Sequence, residues 1–175
     1  IWNAGVMRHS ILYTYDLTPI KETPIPLKDI LQSASEVPNN YYLTEKQIEK
    51  IAYLRGPKKI KRKAASGHEY VYSEGGMRPT DDLDLPARTM LTSEGSINRS
   101  SHIIETDQGL RFITPVEAER IQDFPDDWTR YKKSEDGELV QVSDKTRLFF
   151  MGNALVTGII KRIAKGIEKI DDINS

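Results

Sequence analysis

The apolar positions fall into regular stretches at the two ends of the chain, with an irregular stretch between. Near the start, Ile11-Leu12-Tyr13-Thr14-Tyr15 concentrates β-branched and aromatic residues and predicts a strand within an extended beginning over 1–20. Pro19, Pro24 and Pro26 then interrupt regular structure, residues 27–32 suit a short helix, and Pro38-Asn39-Asn40 signals a turn. Thr44, with Gln47 three residues on, has the spacing of a capping box and predicts a helix over 45–54 ending near Gly56. From Gly56 to about Gly109 helical periodicity is absent. Short β-like runs at 68–72, 88–92 and 101–105 alternate there with Gly75-Gly76, Pro79 and Pro86. This pattern predicts a loop-rich, irregular and twisted β region filling about half of the chain, of the kind that presents loops to a partner.

Regularity returns after Gly109. Residues 110–113 predict a strand, and Thr114-Pro115-Val116-Glu117 is a helix start with Thr as cap, Pro at the first position and Glu at the third. That helix must stop before Pro125, because the residue preceding a proline disfavours helix. Ser143 or Asp144 caps a short helix reaching Phe150. Val156, Ile159, Ile160, Ile163, Ile167 and Ile170 then recur at helical spacing, with Lys161, Arg162, Lys165 and Lys169 between them. Such an amphipathic helix needs a surface to cover. The expectation is that Val156, Ile160 and Ile163 stay poorly covered by this chain alone. The fold class is α+β, with helices at the C-terminal end.

Composition narrows the chemistry. The chain has 175 residues, 38% hydrophobic and 29% charged, enough for one domain or one and a half with a modest core. No apolar run is long enough to cross a membrane and no leader pattern opens the chain, which predicts a soluble, cytoplasmic protein. With no cysteine there is no disulfide framework, thiolate nucleophile or thiolate metal site. His68 and His102 stand apart, and Glu69 and Asp84 do not complete a ligand set with them, so no metal is expected. A net charge of −1 excludes a globally basic nucleic-acid binder. Charge is nevertheless uneven: Lys58-Lys59-Ile60-Lys61-Arg62-Lys63 is basic, while Asp81-Asp82-Leu83-Asp84 and Asp171-Asp172 are acidic. The basic cluster suits phosphate contact as readily as it suits a solvated face. The first residue is Ile1 rather than methionine, which points to processing or to a piece of a longer protein.

Two segments are more particular than packing requires: RFITPVEAERIQDFPDDW at 111–128 and RLFFMGNAL at 147–155. A capped helix and a Phe-Pro turn explain Thr114, Pro115, Glu117, Ile121 and Pro125. They do not explain the gathering of Arg111, Glu117, Arg120 and Gln122. Glu117 and Arg120 are three apart and predicted to pair, and Gln122 can fix neighbouring backbone. This stretch resembles the ninth conserved segment of DNA cytosine-5 methyltransferases, Arg-x-Leu-Thr-x-Arg-Glu-x-Ala-Arg-Leu-Gln-Gly-Phe-Pro. The match is at Arg111, Thr114, Glu117, Arg120, Gln122, Phe124 and Pro125, with Ile113 and Ile121 for leucines. Val116 departs from the usual arginine, Glu119 from alanine and Asp123 from glycine.

Phe149-Phe150-Met151-Gly152-Asn153-Ala154-Leu155 resembles the family's tenth segment, which opens its final helix. Read alone, Gly-Asn is a turn before a helix. Glycine lets backbone approach a ligand closely and Asn offers both donor and acceptor. The resemblance implies that Asn153 and Ala154 face the S-adenosylmethionine pocket. Val156-Thr157-Gly158 stands where the family often has prolines. At 86–95 the match is to a Thr-Leu-like pair of the target recognition domain, with Thr89 and Met90 in those places. Arg88, Thr89, Ser93, Asn98, Arg99, Ser100, Ser101 and His102 then form a dense donor set suited to DNA contact, or equally a polar β-hairpin. Lys58, Lys59, Lys61 and Arg62 are candidates for phosphate contact. Tyr41-Tyr42-Leu43-Thr44 is similar to the lead-in to this domain.

The resemblance implies a lead-in over 1–40, a target recognition domain over 41–128, and a docking segment over 129–175. Arg111, Glu117, Arg120 and Gln122 are its scaffold. The family's catalytic cysteine, glutamate and glycine-rich cofactor loop are not in this sequence. The expectation is therefore the C-terminal portion of a prokaryotic enzyme that flips cytosine out of duplex DNA and methylates it, as in restriction–modification. Alone it lacks the nucleophile and should be inactive. Its partners would be double-stranded DNA and a missing N-terminal catalytic domain or subunit of α/β Rossmann-like fold. Two alternatives are a non-catalytic DNA-binding or assembly subunit, and an α+β domain whose segments are only scaffold and which binds no DNA.

Overall fold

A computed structural model of the chain describes residues 4–19 and 21–174, with side chains as far as residue 169. Residues 1–3 and 20 of the expected extended start, and the Ile170 side chain of the expected apolar stripe, lie outside the described residues. The fold is α+β. Its described strands pair as antiparallel hairpins: β1 (Ala4–Arg8) with β2 (Ile11–Tyr15), β3 (Lys58–Lys63) with β4 (Glu69–Glu74), β5 (Ile103–Thr106) with β6 (Gly109–Phe112), and β7 (Tyr131–Lys133) with β8 (Leu139–Gln141), and Arg111 of β6 makes one further antiparallel bridge to Tyr42. The helices are α1 (Glu45–Arg55), α2 (Pro115–Ile121), α3 (Asp144–Asn153) and α4 (Thr157–Asn174).

Local sequence explains the helix starts. The Gln47 side chain accepts from the Thr44 N–H at 2.8 Å at the head of α1. Glu117 Oε2 accepts from the Thr114 N–H at 2.9 Å, and Thr114 Oγ1 accepts from the Glu117 N–H at 3.2 Å, closing the capping box of α2. Ser143, one of the two expected caps, caps α3 by accepting from the Thr146 N–H. This helix runs to Asn153, three residues past its expected end.

The core gathers where these elements meet. Leu27, Met90, Ile104, Ile113, Ala118, Leu148 and Met151 form one buried cluster, with Ile121, Phe124 and Ala154 packed against it. Burying each leucine, isoleucine or methionine of this cluster is worth roughly 1.5–3 kcal/mol. The irregular stretch places its strands differently from the sequence expectation. Residues 88–92 are not a strand: Arg88 turns back to Asp81, Met90 drops into the core, and no partner strand lies alongside. The basic cluster, conversely, is strand β3, and β7–β8 is a hairpin that periodicity does not reveal. Gly137, following Asp136, takes a φ of 83° at its turn, as an Asp-Gly hairpin signal would require.

The α4 stripe is left open, as the sequence predicts. Ile159, Ile160, Ile163 and Ile167 are 54%, 43%, 54% and 55% exposed, and Val156 is half-buried. The β1–β2 hairpin also shows Val6, Met7, Ile11, Leu12, Tyr13 and Tyr15 to solvent. Among the described residues no helix is long and apolar enough to cross a membrane.

Candidate nucleic-acid interface

The four scaffold residues gather, but with different partners from those the spacing suggests. Arg111 on β6 meets Glu117 on α2 in a two-pronged ion pair, Nη1 to Oε2 at 2.8 Å and Nη2 to Oε1 at 2.7 Å. Both side chains are buried, and every polar demand on the carboxylate is met from nearby. Glu117 also accepts from the Thr114 and Gln32 backbone N–H groups, each at 2.9 Å. Arg120 does not pair with Glu117. Its guanidinium bonds Asp126 at 2.8 and 2.6 Å and donates to the Ile30 carbonyl at 3.0 Å. The buried carboxylate is taken by Arg111, so Arg120 turns outward to Asp126. That ion pair holds the Asp126 carboxyl below its ordinary range.

Gln122 ties the two particular segments together. Its buried Nε2 donates to the Met151 carbonyl at 2.8 Å. One residue on, Gly152 meets the backbone of Leu91 and Thr92 so closely that a Cβ there would overlap it. The close approach that this glycine permits is therefore to the chain's own 88–92 loop. Asn153 is exposed and donates to the Phe149 carbonyl at 3.0 Å, while Ala154 leans on the core. Asp123, in the place of the family's usual glycine, keeps a glycine-like φ of 60°. Its carboxylate lies over Gly158 in the first turn of α4, where an anion favours the helix dipole, and its carbonyl accepts from Thr157 Oγ1 at 2.5 Å.

The donor set over 88–102 is largely occupied in holding its own loop. Asp81 is the hub of one side. Arg88 bonds its carboxylate, Arg55 reaches it at 3.2 Å, and the Ile103 N–H reaches it at 2.8 Å. Burial alone would raise the Asp81 pKa, but the Arg88 guanidinium and the Ile103 N–H outweigh it and hold the carboxyl below its ordinary value. Arg88 also donates to the Ser100 and Ser101 carbonyls at 3.1 and 3.2 Å. Asn98 staples the loop tip, donating to the Ser93 and Ser96 carbonyls and accepting from the Ser100 N–H at 2.8 Å. Arg99 donates to the Leu54 and Gly75 carbonyls and pairs with Glu74. His102 is fully buried: its N–H and Nδ1 both meet Glu94 Oε1, and its Nε2 has no partner. In this arrangement His102 offers no surface to a ligand. Thr89 and Ser93 are exposed and Ser100 is half-buried.

On the β3–β4 hairpin, cross-strand register separates two faces. Lys58 stands opposite Glu74, Ile60 opposite Tyr72 and Arg62 opposite Tyr70; between them Lys59, Lys61 and Lys63 stand opposite Ser73, Val71 and Glu69. Lys58 bonds Glu74 at 3.3 Å, and the Arg62 guanidinium sits 4.4 Å from the centre of the Tyr72 ring.

Another buried ion pair was not foreseen from the sequence. Arg147 on α3 bonds Glu119 on α2 and Asp127 beyond it, both at 3.0 Å, and the Thr129 N–H donates to Glu119 at 2.9 Å. The signal for it was the departure at Glu119, a carboxylate in a place where the family has alanine. Tyr41 donates to Asp144 at 2.5 Å, and burial together with that carboxylate pushes its hydroxyl pKa far up. Among the described residues no cluster of three His, Asp or Glu side chains could hold a metal ion.

The sequence has clear relatives among known proteins. The model of the C-5 cytosine-specific DNA methylase family matches residues 11–169. The chain is 49% identical over 174 residues to the type II methyltransferase M.Sau3AI of Staphylococcus aureus. That alignment takes in 99% of this chain and 39% of the relative, so the chain spans well under half of the relative's length. No solved structure matches. The two particular segments, joined through Gln122 and Met151, lie within the matched residues, and the chain belongs to the C-5 cytosine-specific DNA methylase family.

Proposed function

We propose that this chain is the C-terminal, DNA-recognising portion of a prokaryotic cytosine-5 DNA methyltransferase. The observation that carries the reading is the join of the two family segments, through Gln122 and Met151, beneath the polar loop at 88–102. Residues 1–40 would lead in from the catalytic domain, 41–128 would form the target recognition domain, and 129–175 would return and dock. Exposed Thr89 and Ser93, with the basic β3–β4 hairpin, supply donors to duplex DNA. Arg88, Asn98, Arg99 and Ser100 act in this reading mainly by shaping the loop. The relative's type II class supports a place in restriction–modification, in the cytoplasm.

S-adenosylmethionine supplies the methyl group to a cytosine flipped from the duplex. Exposed Asn153, whose Oδ1 faces no donor among the described hydrogen bonds, and Ala154 fit one wall of the cofactor site. This chain contributes no cysteine nucleophile and should not transfer methyl groups alone. The open apolar stripe of α4 and the apolar β1–β2 hairpin are surfaces for an α/β Rossmann-like catalytic domain.

The test compares this chain, alone and joined to the rest of the protein, for duplex binding and for methyl transfer to cytosine. Binding by the chain and transfer only by the joined protein supports the reading. Binding without transfer by the joined protein would favour a non-catalytic DNA-binding or assembly subunit. Absence of salt-dependent binding in both would leave only a scaffold.

A further inference from the structure

We infer that the β3–β4 hairpin grips DNA by one face only, with Lys59, Lys61 and Lys63 forming a row that follows the sugar-phosphate backbone of a duplex without reading its sequence. The inference rests on the proposal that this chain acts on duplex DNA, and it deepens that proposal by assigning one contact. The sequence shows six residues, KKIKRK, with five cations among them. Strand pairing divides those cations into two chemically different sets.

On one face the cations are already engaged. Lys58 pairs with Glu74, donates to the Leu54 carbonyl at 2.8 Å, and lies 4.8 Å from the centre of the Tyr53 ring. Arg62 is stacked on Tyr72. A phosphate recruited to this face would have to displace the Glu74 and Leu54 contacts of Lys58 and share Arg62 with the Tyr72 ring.

The other face is different. Lys59, Lys61 and Lys63 are exposed, and among the described residues none of them has an ion pair. Across the hairpin they meet Ser73, a hydroxyl donor, Val71, an apolar side chain, and Glu69. Glu69 lies only at the far end, beside Lys63, so the face as a whole remains strongly positive. Alternate residues of a strand are separated by about 6.8 Å, so the three ammonium groups span about 13–14 Å in a line. Duplex DNA presents a charge about every 3.4 Å of axis on each strand, so a line of this length runs beside several phosphates.

A lysine ammonium is a point charge on a flexible stem and suits phosphate better than a base edge, where planar two-pronged donors discriminate. The row should therefore add affinity equally to target and non-target duplexes. The chain's net charge of −1 makes this local face matter, because these 175 residues as a whole supply no general attraction to DNA.

The test is a salt titration of duplex binding by the intact protein, comparing the Lys59→Gln/Lys61→Gln/Lys63→Gln variant with Lys58→Gln/Arg62→Gln. A target-containing duplex and a scrambled one are the probes. If each lysine of the row neutralises one phosphate, the slope of log K against log salt falls by about 2.7 in the triple variant. Its affinity deficit then shrinks about 40-fold between roughly 50 and 200 mM salt. The loss is equal on both duplexes, and the double variant changes the slope less per charge removed.

An unchanged slope in the triple variant overturns the inference while leaving duplex binding intact. A loss confined to the target duplex overturns it in favour of base reading. An equal slope change per charge in both variants removes the distinction between faces. Failure of the unsubstituted protein to bind either duplex would overturn the proposed function itself, and this inference with it. Circular dichroism of each variant separates these outcomes from unfolding, which is not expected at the exposed Lys59, Lys61 and Lys63.

Discussion

Gln122 and Met151 are 29 positions apart in the sequence and joined by one buried hydrogen bond of 2.8 Å. The bond fixes the end of α2 against the end of α3. It brings the tenth segment under the loop that follows Arg88, because Gly152 is the next residue and its backbone lies against Leu91 and Thr92. Replacing Gln122 with Ala would leave the Met151 carbonyl only the longer 3.3 Å bond from the Ala154 N–H and open a small void. The expected cost is about 1–3 kcal/mol, read as a lower denaturation midpoint with an unchanged slope.

Arg111 and Glu117 should behave as a unit. Replacing either alone strands a buried charge and should cost about 3–5 kcal/mol. Replacing both with Met removes the stranded charge, so the double variant should be more stable than the sum of the singles predicts. It will not be neutral, since Thr114 and Gln32 also lose an acceptor. A double-mutant cycle by thermal unfolding checks this. Strict additivity would mean that the pair is not coupled.

Much of the local architecture around this pair was legible in the sequence. The cap of α2 is written in four adjacent residues, Thr114 to Glu117, and a contact set by local spacing can be read from local spacing. The same holds for Thr44 and Gln47 and for the open stripe of α4. The partner of Glu117 was not legible. The sequence offered Arg120 one turn away, whereas burial selected Arg111 on the neighbouring strand. The hub at Asp81, with Arg55 and Arg88, is likewise a tertiary choice. Strand β3 was hidden because charged residues stand on both of its faces and Ile60 is its one apolar residue, so alternation of apolar and polar residues carries no signal.

Gly152→Ala is expected to be more damaging than its size suggests. The added methyl would press on the Leu91–Thr92 backbone, which cannot swing away as a side chain can. Overpacking of this kind costs typically about 1–3 kcal/mol. The strain should appear first in the loop, as faster amide exchange at Thr92 and Ser93. Gly158→Ala faces only the end of the Asp123 side chain and should be milder. Equal effects of the two would argue against the backbone contact.

Asp81 predicts the shape of the acid limb. Its carboxyl is held below its ordinary value near 3.8 in the folded chain. A folded pKa below the unfolded one stabilises at pH above the unfolded value, and the gain is lost as pH falls through the folded value. Stability should therefore drop below about pH 4 in the native chain. Asp81→Asn should be less stable at neutral pH and show a flatter acid limb, since one of the groups that titrate there, beside Asp126, is gone. Guanidinium unfolding at a series of pH values measures both, and a parallel acid limb in the variant would refute the assignment.

The stripe of α4 gives a test that separates the chain from its proposed larger assembly. Ile163 is 54% exposed, so Ile163→Glu should shift the stability of this chain alone by no more than about 0.5 kcal/mol. It should also reduce any self-association through the stripe. In the protein joined to its catalytic domain the same side chain would be covered, and a buried carboxylate there would lose the roughly 1.5–3 kcal/mol of an apolar side chain and add a desolvation cost. The measurement is the unfolding midpoint of the variant in the two contexts. A large loss in the chain alone would mean that α4 is already packed. A negligible loss in the joined protein would mean that the stripe faces solvent there too, and the docking proposed for residues 129–175 would have to be abandoned.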